Sequence, residues 1–170
     1  MKTATWANCC DGFDVDVDGK LTPFRPTGGL VDLIAPGTGP AEWEAFWAAL
    51  RTGPFGLQAY RDGSQISLPD TAAWCLSERD VASIDVSVQT GTVTADCYFF
   101  GGDLELTLDP QEVVSEQAFE SVLALMRFVA AAIRLPVLAV PEGGVSQHAF
   151  LRVLPDGRAI CLESGGTEHA

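Results

Sequence analysis

The stretch at residues 84–108, IDVSVQTGTVTADCYFFGGDLELTL, alternates apolar and polar side chains three times in succession. The apolar residues recur at every second position in IDVSV, in VTADCYF and in LELTL, and Thr90-Gly91 marks a turn between the first two. A period of two is typical of a strand that buries one face and exposes the other. The stretch therefore predicts a three-stranded antiparallel meander with one open face.

Two other segments carry the helical period. In EWEAFWAAL, residues 42–50, the apolar residues fall at i, i+3, i+4 and i+7, and residues 115–134 show an apolar stripe with a 3.6-residue period. Pro40 suits the first turn of the first helix, and Leu135-Pro136 ends the second. Both segments are predicted to pack against the sheet.

The remaining strand signals are shorter. They lie at residues 13–24 (a hairpin), 57–60 and 65–68 (around Asp62-Gly63), 137–140, and 150–153 with 158–162 (around Pro155-Asp156-Gly157). Because strands and helices are segregated, we predict an α+β fold in which an antiparallel or mixed β-sheet packs against two main helices. Residues 1–163 are predicted to form a single domain and residues 164–170 a flexible tail.

Charge separates this chain from an average globular protein. It has 23 Asp and Glu against 10 Lys and Arg, a formal net charge of -13. Such a field repels phosphate groups, so nucleic acids and anionic membranes are poor partners, whereas a basic protein is attracted. A high acidic content also serves solubility alone, which is the alternative interpretation.

The acids are unevenly placed. Residues 80–126, which we call the anionic stretch, contain nine acids and no Lys or Arg: Asp80, Asp85, Asp96, Asp103, Glu105, Asp109, Glu112, Glu116 and Glu120. A surface that only maintains solubility normally mixes the two signs. The anionic stretch therefore predicts a surface for a cationic partner.

Compartment and thiol state are inferred from the apolar and cysteine patterns. No apolar run resembles a secretory signal, and none reaches the roughly 20 residues of a membrane-spanning helix. The five cysteines are an odd number without the spacing of a disulfide scaffold, so reduced thiols are expected. Together these patterns predict a soluble cytoplasmic protein.

One motif suggests a metal. Asp14, Asp16 and Asp18 before Gly19 resemble the start of a calcium loop, but Arg25 occupies the twelfth position, where a bidentate Glu is needed. An acidic strand that ends in an Asp-Gly turn is the favoured interpretation, and cation binding there stays open. The sequence has neither zinc-ligand spacing nor a phosphate-binding glycine loop, so no cofactor and no metal ligand are predicted.

Catalytic groups are scarce. His148 and Cys161 lie on or next to two strands that are expected to pair, so a Cys/His couple is geometrically conceivable. A buried structural Cys and a surface His are commoner, and no catalytic residue is assigned. A small enzyme or ligand-binding domain, with a pocket near His148, Cys161 and Asp156, is kept as an alternative. A self-associating accessory protein is a second one.

Residues 119–158 carry a family resemblance. An apolar helix ends at Arg134-Leu135-Pro136, VLAVPEG follows at residues 137–143, and HAFLRV at residues 148–153 precedes an Asp156-Gly157 turn. This segment resembles small bacterial immunity proteins encoded beside polymorphic or contact-dependent toxins. Gly143 stands where that pattern has Asn. The resemblance implies stoichiometric neutralisation of a cognate toxin in the cytoplasm of the producing cell.

Composition and resemblance together predict a non-catalytic binding protein, of the immunity type, that inhibits a basic toxin or enzyme through an acidic surface. The contacts we expect are four acids and two aromatic anchors: Asp103, Glu105, Glu112, Glu116, Trp74 and Tyr98. Ordinary core packing is the alternative role of the two aromatic residues.

Overall fold

The computed structural model describes residues 29–100 and 102–162 of the 170-residue chain. These ranges contain nine strands, three α-helices, and 3-10 turns at Pro110–Glu112 and Ser146–His148. In chain order the elements are β1 (Val31–Ala35), α1 (Pro40–Thr52), β2 (Gly56–Arg61), β3 (Ser64–Ile66), α2 (Ala72–Glu78), β4 (Ile84–Thr90), β5 (Val93–Tyr98), β6 (Leu104–Leu108), α3 (Glu116–Ile133), β7 (Val137–Pro141), β8 (Leu151–Val153) and β9 (Ala159–Cys161). The predicted hairpin at residues 13–24 and the tail at 164–170 lie outside the described residues.

All described strands form one sheet, in the order β3-β2-β4-β5-β6-β1-β7-β8-β9, and every neighbouring pair is antiparallel. The predicted meander is confirmed as β4, β5 and β6. The α+β class is confirmed as well, with a purely antiparallel sheet among the described strands. The short strands predicted around Asp62-Gly63 and Asp156-Gly157 are β2 with β3 and β8 with β9.

The three helices cover one side of the sheet, which we call the inner side. Val86, Cys97 and Leu106 lie side by side there and are fully buried, as are Phe46 and Phe119 of the helices. Burial of each large apolar side chain contributes roughly 1.5–3 kcal/mol, so this layer supplies most of the apolar stabilisation. The period-two pattern of the strands thus leaves their alternate residues on the opposite, outer side.

Both long helices begin and end where local chemistry dictates. The carboxylate of Glu42 accepts a hydrogen bond from the Gly39 backbone N–H at the start of α1. The hydroxyl of Ser115 accepts one from the Ala118 N–H at the start of α3, and Arg134 adopts a left-handed conformation (φ 59°) after its last turn. The predicted apolar faces of both helices are buried.

Two elements are not predicted from the sequence. β1 occupies the centre of the sheet between β6 and β7. The seven-residue α2 begins at a Thr71 cap, and the Glu44 carboxylate of α1 accepts hydrogen bonds from the N–H groups of Ala72 and Ala73. The start of α2 therefore depends on a contact with α1 as well as on its own Thr71 cap.

Candidate functional site

The outer side of β2, β4, β5 and β6 is polar and reaches the solvent. Its side chains alternate with the core residues of the same strands, and we call this set the acidic face: Gln58, Tyr60, Asp85, Ser87, Gln89, Thr94, Asp96, Tyr98, Glu105 and Thr107. All ten are exposed or half-buried. The helices lie on the other side of these strands, so a partner could approach the acidic face directly.

Strand register brings its functional groups together. Tyr60 lies opposite Asp85, and Asp85 lies opposite Tyr98 on the next strand. One row over, Asp96 lies between Ser87 and Thr107 and accepts a hydrogen bond from the Ser87 hydroxyl at 2.6 Å. Side chains directly opposite each other in antiparallel strands have Cβ atoms about 4.5–5.5 Å apart, so these groups act on one another.

The carboxylates of the acidic face have no cationic neighbour among the described residues. The ion pairs among the described residues lie outside the acidic face: Arg51–Asp70, Arg61–Glu78, Arg79–Asp80, Arg127–Glu120 and Arg158–Asp156. Partial burial, and secondarily the charge of Asp96, raises the pKa of Asp85 above its ordinary value. Partial burial, and secondarily Asp32, likewise raises the pKa of Glu105. The charged forms of Asp85 and Glu105 are therefore less favourable in the folded protein than in water.

Tyr98 lies among these acids and continues into an aromatic pair. Burial, then the charges of Asp96 and Asp85, raise the pKa of its phenol, so it stays protonated at neutral pH. Its ring stacks on that of Phe100, with centroids 5.5 Å apart and planes 2° from parallel. The ring of Phe100 is poorly covered, because this residue is 64% exposed. An aromatic surface therefore borders the carboxylates.

Asp32 of β1 marks the edge of the acidic face. It is only 5% exposed, and its two carboxylate oxygens accept hydrogen bonds from the Thr107 hydroxyl at 2.9 Å and the Gly143 N–H at 3.0 Å. Asp32 therefore holds the segment after β7 against the sheet, and its role is structural.

The structure brings only some of the predicted contact residues together. Glu105 and Tyr98 lie on the acidic face. Asp103 and Glu112 are anionic but accept hydrogen bonds from the backbone N–H groups of Gly37 and Thr94, both at 2.7 Å. These two acids hold loops in place as well as contributing charge.

The other two predicted contacts belong to the helical layer. Trp74 is 38% exposed on α2, and Glu116 is exposed in the first turn of α3. Sequence reasoning did not select Asp85, Asp96, Tyr60 or Phe100 as contacts. The period-two alternation already places Asp96 and Tyr98 on one side of β5, and that signal was sufficient to find Asp96.

The alternative site near His148 lacks its proposed nucleophile. Cys161 is disulfide-bonded, so the expectation of a reduced thiol is wrong for this residue, and a bonded sulfur provides no thiolate. His148 is exposed on a 3-10 turn, and Asp156 is paired with the Arg158 guanidinium at 2.7 Å. Cys75 and Cys97 are free but buried, and burial raises the pKa of Cys75 to about 12.

Neither a metal-binding cluster nor a membrane-spanning helix occurs among the described residues. The described part of the chain contains no group of three or more His, Cys, Asp or Glu residues arranged to hold a metal ion. Asp14, Asp16 and Asp18 lie outside it. No described helix is both long and apolar enough to cross a bilayer.

Comparison with known proteins adds no relative. The chain matches no protein-family model, and no curated protein or solved structure matches it significantly.

Proposed function

We propose that this chain is a non-catalytic binding protein that places the acidic face of its sheet on a basic surface of a partner protein. The observation that carries the proposal is the set of carboxylates on one side of the sheet, Asp85, Asp96 and Glu105, without an ion-pair partner among the described residues. A cation supplied by a partner would favour the charged forms of Asp85 and Glu105, which desolvation and nearby carboxylates now disfavour. Binding residues that reduce stability are common at functional surfaces.

The partner class follows from charge and from the family resemblance. A net charge of -13 favours fast encounter with a basic protein and disfavours phosphate-rich ligands. The resemblance of residues 119–158 to immunity proteins points to a toxin enzyme as that partner. The finer proposal is therefore an immunity-type inhibitor that covers a basic cleft of its cognate toxin.

Affinity capture with matched variants tests the proposal. The wild-type chain is immobilised and exposed to a lysate of the native cells. Two double variants are treated in the same way: Asp85→Asn/Glu105→Gln removes two charges from the acidic face, and Asp70→Asn/Asp80→Asn removes two exposed charges elsewhere. We expect the wild type and the second variant to retain one basic protein at low salt and to release it at high salt. The first variant should retain at least tenfold less, because buried charge contacts at interfaces contribute several kcal/mol.

Equal loss in both double variants would mean that net charge alone, and not the acidic face, determines binding. Retention of the partner by the acidic-face variant would contradict the proposal directly. If the captured protein is a toxic enzyme, co-expression with the wild-type chain should restore growth and co-expression with the acidic-face variant should not. A partner without such toxicity would reject the immunity role and leave the binding surface in place.

A further inference from the structure

The aromatic pair Tyr98–Phe100, at the end of β5, is an exposed apolar feature that borders the acidic face. Phe100 is 64% exposed, whereas Phe99, beside it in the chain, is 1% exposed and packs against Trp43 and Trp47. The ring of Phe100 contacts that of Tyr98 in a parallel stack. Phe100 makes none of the ring contacts by which Phe99 packs into the inner core. Core packing therefore does not explain its position.

The surroundings of this pair are anionic. Asp85 lies directly opposite Tyr98 in the strand register, and Asp96 is two residues away on the same side of β5. Both carboxylates act on the Tyr98 phenol, since each raises its pKa. A purely apolar occupant would cover these carboxylates without replacing their water, which is unfavourable. The occupant must therefore carry a positive charge as well as a flat apolar surface.

Resting on the proposed binding function, we propose that the Tyr98–Phe100 stack and the carboxylates of Asp85 and Asp96 form the seat for an arginine side chain of the basic partner protein. A guanidinium group is planar and weakly hydrated, so it stacks on an aromatic ring while its N–H groups donate to carboxylates. An ammonium group is a compact, strongly hydrated charge and uses the ring less well. The seat thus selects arginine over lysine.

Model peptides test this seat without the natural partner. Three Gly/Ser peptides of nine residues carry three arginines, three lysines or three citrullines at the same positions, and their binding is followed by the backbone and aromatic NMR signals of the full chain. We expect the arginine peptide to shift the signals of Asp85, Asp96, Tyr98 and Phe100. It should bind about two- to fivefold more tightly than the lysine peptide, and the citrulline peptide should bind most weakly.

A matched pair of truncations separates the seat from general charge attraction. Phe100→Ala removes the exposed ring and should bring the arginine-to-lysine affinity ratio close to one, while Val145→Ala shortens an exposed apolar side chain in the segment after β7 and should leave the ratio unchanged. Both residues are exposed, so both variants should fold, as their NMR spectra will show. An unchanged ratio in Phe100→Ala, or signal shifts confined to other residues, would overturn the seat.

The same variants distinguish this inference from the proposed function. If Asp85→Asn/Glu105→Gln loses the captured partner while Phe100→Ala retains it with unchanged affinity, the arginine seat is wrong and the binding surface stands. If neither variant affects capture, both proposals fail. Loss of the partner in both variants, together with the arginine preference, supports both.

Discussion

The outer side of the sheet differs between its two halves, although one hydrogen-bonded register runs through both. From β2 to β6 it is polar and exposed, whereas on β7 the outward residues Leu138 and Val140 are 4% and 0% exposed and form a small second core with Ala149. One row of residues that lie opposite one another on successive strands shows the change. It contains Gln58 and Asp96 in the polar half, continues through Asp32 of β1, and ends at the buried Val140.

The cause of the difference is a covering segment. Residues 142–150 fold back over β7, with Ala149 packed against the outer apolar residues and the Gly143 N–H donating to Asp32. Ile34 and Leu162 add to the same cluster. The sheet therefore closes one half of its outer side with its own chain and leaves the other half for solvent or a partner.

The largest effect should come from adding a charge to the covered half. Val140→Asp places a carboxylate where the side chain is fully buried, and we expect it to lower the free energy of unfolding by roughly 4 kcal/mol or more. Gln58→Asp, in the same row on the open half, should change it by less than about 0.5 kcal/mol. Urea unfolding followed by tryptophan fluorescence measures both, and similar losses in the two variants would show that the halves do not differ in cover.

An intermediate effect is expected at the boundary. Asp32→Ala deprives the Gly143 N–H and the Thr107 hydroxyl of their acceptor, which should cost about 1–3 kcal/mol and speed hydrogen exchange at Gly143. Asp32→Asn keeps an acceptor oxygen and should cost less. If the Gly143 amide exchanges no faster in Asp32→Ala, residues 142–150 are held by other contacts.

The smallest effect concerns the open half and depends on pH. The pKa of Asp85 is raised in the folded protein, so the folded state binds more protons than the unfolded state between the ordinary and the raised pKa. Wild-type stability therefore falls as the pH rises through that window. Asp85→Asn should stabilise the protein at pH 7 by less than about 0.5 kcal/mol. At about pH 3, where the side chain of residue 85 is largely uncharged in the wild type and in the variant, the substitution should give no gain in stability.

Asp156 supplies a control of opposite sign. Hydrogen bonds from the Arg158 backbone and side chain lower its pKa, so its carboxylate stabilises the folded state at neutral pH and loses that effect as the pH falls through the lowered pKa. Asp156→Asn should therefore lower the melting temperature at pH 7. A loss of stability in Asp85→Asn at pH 7 would contradict the view that this carboxylate is held unfavourably.

Local periodicity was sufficient to predict the meander, both long helices and the class of the fold. It was insufficient for β1, where the charged Asp32 interrupts the short apolar run VDLIA and is accommodated only through Thr107 and Gly143, far along the chain. It was also insufficient for α2, whose start depends on Glu44. In each case a long-range hydrogen bond makes the element possible, and no local pattern contains that information.

The candidate site was predictable to a similar degree. Alternation places Tyr98 and Glu105 on one side of the sheet, but the backbone contacts of Asp103 and Glu112 connect segments that are distant in sequence. Phe100 continues the alternation beyond the end of β5 and lies on the same side as Tyr98, but a period of two does not show that the two rings stack. The charge count selected residues 80–126, and only the sheet register showed which acids of this stretch lie near one another.

The central position of β1 has a consequence for how the chain folds. Val31 pairs with Leu108 on one side and with Pro141 on the other, so the middle of the sheet closes only after the segments that follow it have been synthesised. Strands β2 to β6 pair mainly with close neighbours in sequence, and local contacts form faster than distant ones. During synthesis, β2 to β6 can therefore pair first, and the pairing of β1 with β7 must wait until residues 137–141 have been made.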